Sequence, residues 1–231
     1  MTGRHQQVAD DLRRLITAGT YVPGERLPSE ARLSDRYRVS TPTLREALEL
    51  LRAEGLIEKF QGRGNFVRRP TPRLSYPSGS TDDLHVIVSR AEFTVTGDLA
   101  ARLRTPPDTA VTEFVCLAHR ADSPQSLAHI YVPRAVARTG SVGSSPWGDD
   151  IVIAADETAT TSTDQVTARF PTAAEAQSLR VSARTPVLAI ERTLTADDGH
   201  VVAYALLILP GDRAEVAFVT RIDKLDKKAE A

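Results

Sequence analysis

The sequence predicts an α+β fold in two parts, for three reasons. Helical hydrophobic stripes with capping residues fill roughly the first seventy positions, whereas aliphatic and β-branched runs joined by short turns dominate after Val111. A proline-rich stretch separates the two patterns. Charge divides at the same place: residues 1–70 hold 13 Lys+Arg against 9 Asp+Glu, and the remainder hold 16 against 21, so the first part suits a polyanion. With 231 residues, 41% hydrophobic and 26% charged, the chain is long enough to bury substantial cores. Its longest apolar run, Val201 to Leu209, is far short of the roughly 20 residues a spanning helix needs. The amino terminus MTGRHQQ has no apolar signal core, so a cytoplasmic location without membrane contact is expected. One cysteine, Cys116, and five histidines without ligand spacing exclude internal disulfides and point to neither metal nor cofactor.

In the first part, Val8, Leu12, Leu15 and Ile16 recur at helical spacing before Gly19. After Val22-Pro23-Gly24, Ser29 caps a short second helix carrying Leu33 and Tyr37. Ser40 caps a third, with Leu44, Ala47, Leu48 and Leu51 as its stripe, Pro42 tolerated in the first turn and Gly55 as the stop. The short turn through Arg38 and Val39 makes the second and third helices a helix-turn-helix that presents Thr41, Thr43 and Arg45 to a major groove. Leu56–Phe60 and Asn65–Arg68 then flank Gln61-Gly62-Arg63-Gly64, a hairpin with a basic tip, hence a wing. Its guanidinium suits guanine edges or phosphates, and its glycines permit close backbone approach.

The predicted boundaries are a winged helix-turn-helix at 1–69, a semi-extended linker at 70–83 that lets the domains reorient, and a second domain at 84–231. In that domain Val111–Arg120 and Ser126–Val132 read as a hairpin around Asp122-Ser123-Pro124, and Val187–Thr195 and Val201–Leu209 as another around Asp197-Asp198-Gly199. Val216–Arg221 is expected to close the antiparallel sheet. Thr96–Leu103 reads as a helix, and Thr172 with Glu175 forms a capping box opening another to Leu179.

Pro23 to Val67, PGERLPSEARLSDRYRVSTPTLREALELLRAEGLIEKFQGRGNFV, resembles the winged-helix domain of the GntR family of bacterial transcription regulators. The resemblance implies DNA contacts by Ser40, Thr43 and Arg45, with Arg63 and Gly64 in the wing. Two positions depart from the pattern: Thr41 stands where arginine often follows the capping residue, and Ala31 where arginine often follows PSE, although Arg32 comes next. Each lost charge removes about 1–3 kcal/mol if it reads a base.

AHRADSPQSLAHIYVP at Ala118–Pro133, VTARFPTAAEAQSL at Val166–Leu179, and PVLAIERTLTADDGHVVAY followed by Gly211-Asp212-Arg213 resemble the UTRA-type ligand-binding domain of the HutC subfamily. That resemblance implies a fold like chorismate lyase, a small-molecule effector and a homodimer that represses transcription from a palindromic operator. Alternation puts Val115, Leu117 and His119 on one face of their strand and Phe114, Cys116, Ala118 and Arg120 on the other. Relatives that bind phosphorylated sugars often carry two arginines two positions apart on this strand. Leu117 and His119 stand there instead, which argues against a phosphate ligand. The candidate effector residues are His119, Arg120, His129, Tyr131, Glu157, Arg169, Arg192 and Tyr204. No GxSxG, HExxH, P-loop or GxGxxG occurs, so a lyase-like enzyme and a ligand-independent DNA-binding protein are the weaker alternatives.

Overall fold

The structure, a computed structural model, describes residues 3–60, 62–69, 73–77, 81–134, 145–147 and 159–220. The amino-terminal domain packs α1 (Arg4–Thr17), α2 (Glu30–Tyr37) and α3 (Thr41–Ala53) around one core. Val8, Leu12, Leu33, Leu44, Leu48 and Leu51 are all at most 5% exposed. Each such aliphatic side chain contributes roughly 1.5–3 kcal/mol relative to exposure. The caps act as the sequence implies: Ser29 accepts from the backbone N–H of Arg32, and Ser40 from that of Thr43. Between them Arg38 adopts φ 50°, a left-handed residue that ends α2 and turns the chain into α3. The wing is β1 (Ile57–Phe60) against β2 (Gly64–Val67), with Phe60 opposite Gly64 and Arg26 bridging to Phe66 on the other edge.

The second domain is a six-stranded antiparallel sheet ordered β4-β5-β6-β9-β8-β7, formed by β4 (His85–Val95), β5 (Thr109–Arg120), β6 (Ser123–Pro133), β7 (Ala159–Arg169), β8 (Val187–Ala196) and β9 (Val201–Pro210). Two helices, α4 (Gly97–Leu103) and α5 (Ala173–Leu179), lie on one face, and the predicted capping box of Thr172 and Glu175 opens α5. On the other face Tyr76 and Trp147 cover a core of Phe114, Cys116, Ile130, Ile190 and Leu207.

Three expectations change. Strands β4 and β7 have no sequence signal of the kind used for the others, because both are edge strands exposed along nearly their whole length and carry little period-two hydrophobicity. The stretch read as a linker holds β3 (Leu74–Tyr76), whose Leu74 and Tyr76 are buried. The strand expected over Val216–Arg221 does not form at 217–220, and Arg221 lies outside the described residues; the last strand is β10 (Ala214–Val216), which does not close the main sheet but pairs in parallel with β3. Three residues are too few to display an alternation, and it is the docking of Leu74, Tyr76 and Ala214 into the core that makes them strands.

The domains also meet directly. Asp212, 5% exposed, binds Arg68 from the end of the wing and its own neighbour Arg213, while Ser182 donates to Glu49 of α3. Gly55 permits the approach: at φ +72 it ends α3, and a Cβ there would sit 3.1 Å from that of Asp212.

Candidate nucleic-acid interface and ligand site

The first turns of α3 leave Ser40, Thr41 and Arg45 exposed while its core stripe is buried. Ser40 Oγ lies 2.9 Å from Thr43 Oγ1, so capping and a hydroxyl pair fix both side chains. Arg45 is 66% exposed at its side chain, with Nε 2.9 Å from Oε2 of Glu30 on α2. That pair sits in water, is held weakly, and leaves the guanidinium free to exchange a carboxylate for a base or phosphate. Arg32 is exposed, its backbone N–H engaged by the Ser29 cap.

In the wing, the Arg63 guanidinium lies 5.2 Å from the Phe60 ring centroid and 5.6 Å from that of Phe66, which pre-orients it. Gly64 has φ +103, a conformation that L side chains rarely adopt. Arg26 lies against Gly64, its Nε 3.2 Å from where a Cβ would be, and adds an exposed cation beside the wing. The PGERLPSE motif does not by itself distinguish Arg26, whose place by the wing comes from its bridge to Phe66.

The candidate effector residues are not brought together. Strand register assigns them to opposite faces: Arg192 lies across from Ala205, which faces Ile130, whereas Tyr204 lies across from Thr193 and faces Tyr131. On the helix-covered face His129 Nδ1 is 2.9 Å from Glu113 Oε1, and His129, Tyr131 and Tyr204 form a stacked aromatic ladder at 6.5 and 6.1 Å. Burial, reinforced by Glu113, raises the Tyr131 hydroxyl above its ordinary value, and burial likewise raises Tyr204, so both stay neutral hydrogen-bonding groups. On the opposite face Arg192 Nε lies 3.0 Å from Asp164 Oδ1, its guanidinium also donates to the Tyr76 hydroxyl, and Trp147 packs edge-on against Tyr76 at 5.2 Å. Burial alone raises the Asp164 carboxyl, but Arg192 and Tyr76 outweigh it and hold Asp164 below its ordinary value.

The other candidates have structural partners or other locations. Arg169 grips Glu175 with two bonds of 2.7 Å, locking the start of α5, and Arg120 pairs with Asp83 at 2.5 Å. His119 continues the alternation of its strand on the face of Val115 and Leu117, and lines a hollow beside the wing with Phe60, Arg63 and Arg180. The register shift beside it falls on β6, where Gln125 is the extra residue, so the face assigned to His119 from the sequence holds. Glu157 lies outside the described residues.

Comparisons with known proteins fit this geometry. Residues 4–67 match the family described as bacterial regulatory proteins, gntR family, and residues 85–215, more than half of the chain, match the UTRA domain. An uncharacterized HTH-type transcriptional regulator of Rhizobium meliloti (strain 1021) is 27% identical over 235 residues, covering 93% of this chain and 94% of that protein. The HTH-type transcriptional repressor NagR of Bacillus subtilis (strain 168) is 25% identical over 235 residues, covering 96% and 95%. A crystal structure of a GntR-family transcriptional regulator has a TM-score of 0.56 at 28% identity, over 96% of this chain and 99% of that one. PhnF from Mycobacterium smegmatis shares the fold with a TM-score of 0.55 at 22% identity, over 94% and 100%. No helix among the described residues is long and apolar enough to cross a membrane. With its winged helix at one end and its antiparallel sheet at the other, the chain belongs to the gntR family of bacterial regulatory proteins that carry an effector-binding UTRA domain, and it is a DNA-binding transcription regulator, not an enzyme.

Proposed function

We propose that the protein is a cytoplasmic, homodimeric repressor of the HutC subfamily that binds a palindromic operator and is released or rearranged by a small-molecule effector. The observation that carries this reading is the α3 end itself: Ser40, Thr41 and Arg45 are exposed beside Arg32, and the Arg63–Gly64 wing tip is braced by its aromatic platform. In the dimer two copies of α3 enter adjacent major grooves, centred about one helical turn apart. Thr43 and Arg45 read bases, and Arg63 and Arg32 position the domain on phosphates. The repressor named NagR, similar over nearly the whole chain, supports repression over activation.

The effector lies on the Tyr76 side of the sheet. The sheet there carries small side chains, Cys116, Ala118, Ala128, Ala203 and Ala205, buried on the face that Tyr76 and Trp147 cover, with the Arg192–Asp164 pair as the polar groups beside them. An effector shifts the DNA-bound population only by binding one arrangement of the dimer better, a coupling typically of about 1–3 kcal/mol. Titration of labelled operator at several salt concentrations tests the docking. Arg63→Ala should reduce the slope of log K against log salt by about 0.9, the value for one phosphate contact. Identical slopes for Arg63→Ala and wild type would remove the wing from the interface. A screen of sugars, amino acids and secondary metabolites by thermal shift tests the effector reading, since only a ligand that binds the native state raises Tm.

A further inference from the structure

A cleft of about 780 Å³ separates the two domains, walled by the end of α3 and the wing on one side and by α5 and the turn at Asp212 on the other. Six cationic side chains line it, Arg52, Lys59, Arg63, Arg68, Arg180 and Arg213, against three acidic ones, Glu49, Glu58 and Asp212. Two of the acids are already engaged: Asp212 by Arg68 and Arg213, and Glu49 by Arg52 and Ser182. Lys59, Arg63 and Arg180 have no carboxylate partner among the described residues. Arg180, exposed at the end of α5, donates to the carbonyl of Asp122 at 3.0 Å.

An adjoining hollow of about 430 Å³ shares Phe60, Arg63 and Arg180 with this cleft and adds His85 and His119. Among the described residues, three buried donors or acceptors around the two spaces lack hydrogen-bond partners: His119 Nδ1, Arg52 Nε and Arg68 Nη2. Burial outweighs a hydrogen bond to the Leu117 backbone and lowers the His119 pKa from its ordinary 6.5, so at pH 7 the ring is neutral. Unmatched cations from two domains repel across the cleft, and each unmade bond to a buried polar group costs about 1–3 kcal/mol. A group with two negative charges and several acceptor oxygens relieves both problems, and arginine forks match its geometry.

We propose that this interdomain cleft binds a phosphoryl dianion, held by Lys59 and Arg63 of the wing and Arg180 at the end of α5. The site is separate from the sheet face beside Arg192 and lies on the wing side of the second domain. One consequence rests on the DNA-docking reading above: an anion gripping Arg63 holds the wing against the second domain and competes with the duplex for the same guanidinium. The phosphoryl group comes either from a free small molecule or from the duplex backbone passing the wing.

Two arms distinguish these sources. In the first, inorganic phosphate and pyrophosphate are titrated into DNA-free protein by calorimetry, at ionic strength held constant with sodium chloride. Arg180→Ala and Arg63→Ala should each weaken binding about tenfold or more, the equivalent of one charge-assisted contact, while Arg14→Ala on the far helix α1 leaves it unchanged. Arg180→Lys retains the charge and should recover most of the affinity, which separates loss of the site from loss of fold. In the second arm, a fall of about 0.9 in the operator salt slope for Arg180→Ala, without phosphate binding by wild type, assigns the site to the duplex backbone. Equal heats for wild type, Arg180→Ala and Arg63→Ala, together with an unchanged salt slope for Arg180→Ala, overturn the proposal. Because the first arm contains no DNA, its failure leaves the regulator reading intact, and absence of operator binding by wild type would strike that reading alone.

Discussion

Replacing Asp212 by Asn should be among the most damaging single changes between the two domains. Its carboxylate is 5% exposed and lies between Arg213, 6% exposed, and Arg68, 11% exposed, with Arg68 coming from the other domain. Asn keeps the shape and removes the charge, so two nearly buried guanidiniums lose their counterion. Breaking a buried pair in this way costs about 3–5 kcal/mol. For a chain of this size each kcal/mol shifts Tm by about 2–4 °C, so Asp212→Asn should melt about 6–20 °C below wild type. Arg68→Ala is milder. Asp212 then keeps Arg213, which is itself anchored to the carbonyl of Pro124 at 2.7 Å, and about 1.5–3 kcal/mol is lost with one charged hydrogen bond. Urea unfolding of the wild type, both single variants and the double variant closes a thermodynamic cycle. A coupling between 0.5 and about 3 kcal/mol is expected for residues in direct contact. A loss under about 1 kcal/mol for Asp212→Asn, or strict additivity with Arg68→Ala, would refute the claim that this ion pair fastens the domains.

Other outcomes follow from the same contacts. The charges of Arg213 and Arg68 overcome burial and hold the Asp212 carboxyl below its ordinary 3.8, so its stabilisation is complete above that value and is lost as pH falls through the lower folded value. A Tm profile from pH 7 downward should therefore stay level in this respect until about pH 4 and then drop, less steeply for Asp212→Asn. Arg45→Ala should weaken operator binding by about 1–3 kcal/mol while nonspecific binding changes little, measured by competition against unrelated duplex; unchanged specificity would exclude Arg45 from base readout. Thr172→Ala removes the side chain that accepts from the Glu175 backbone N–H at 3.2 Å and should cost about 1 kcal/mol in urea unfolding, a small loss because the Glu175–Arg169 bonds remain. No change at all would mean that the capping box adds nothing beyond that ion pair.

The amino-terminal domain was legible because its signals are local. Ser29, Ser40, Gly55 and the stripe Leu44, Ala47, Leu48 and Leu51 each act within a few residues of themselves, and period and cap agree on the same helices. The four inner strands of the second domain could be read for the same reason, since burial writes aliphatic residues into them. Its edges could not. An edge strand such as β7 is specified by the neighbour it pairs with, and its Thr- and Ser-rich surface carries no alternation.

The ligand-site candidates divide along the same line. Sequence identified polar residues on strands, and Arg192, His129, Tyr131 and Tyr204 do lie on the sheet. Which face each occupies depends on register, and register placed Arg192 opposite the other three. The cleft that joins Arg63 to Arg180 brings together residues more than a hundred positions apart and has no signature in either segment alone. The sequence by itself determined the helices, their caps, the wing and the inner strands, because backbone hydrogen bonding and side-chain periodicity are short-range. Tertiary structure alone decided which charges are buried together, as at Asp212, and which faces meet, because these follow from where separately formed elements dock.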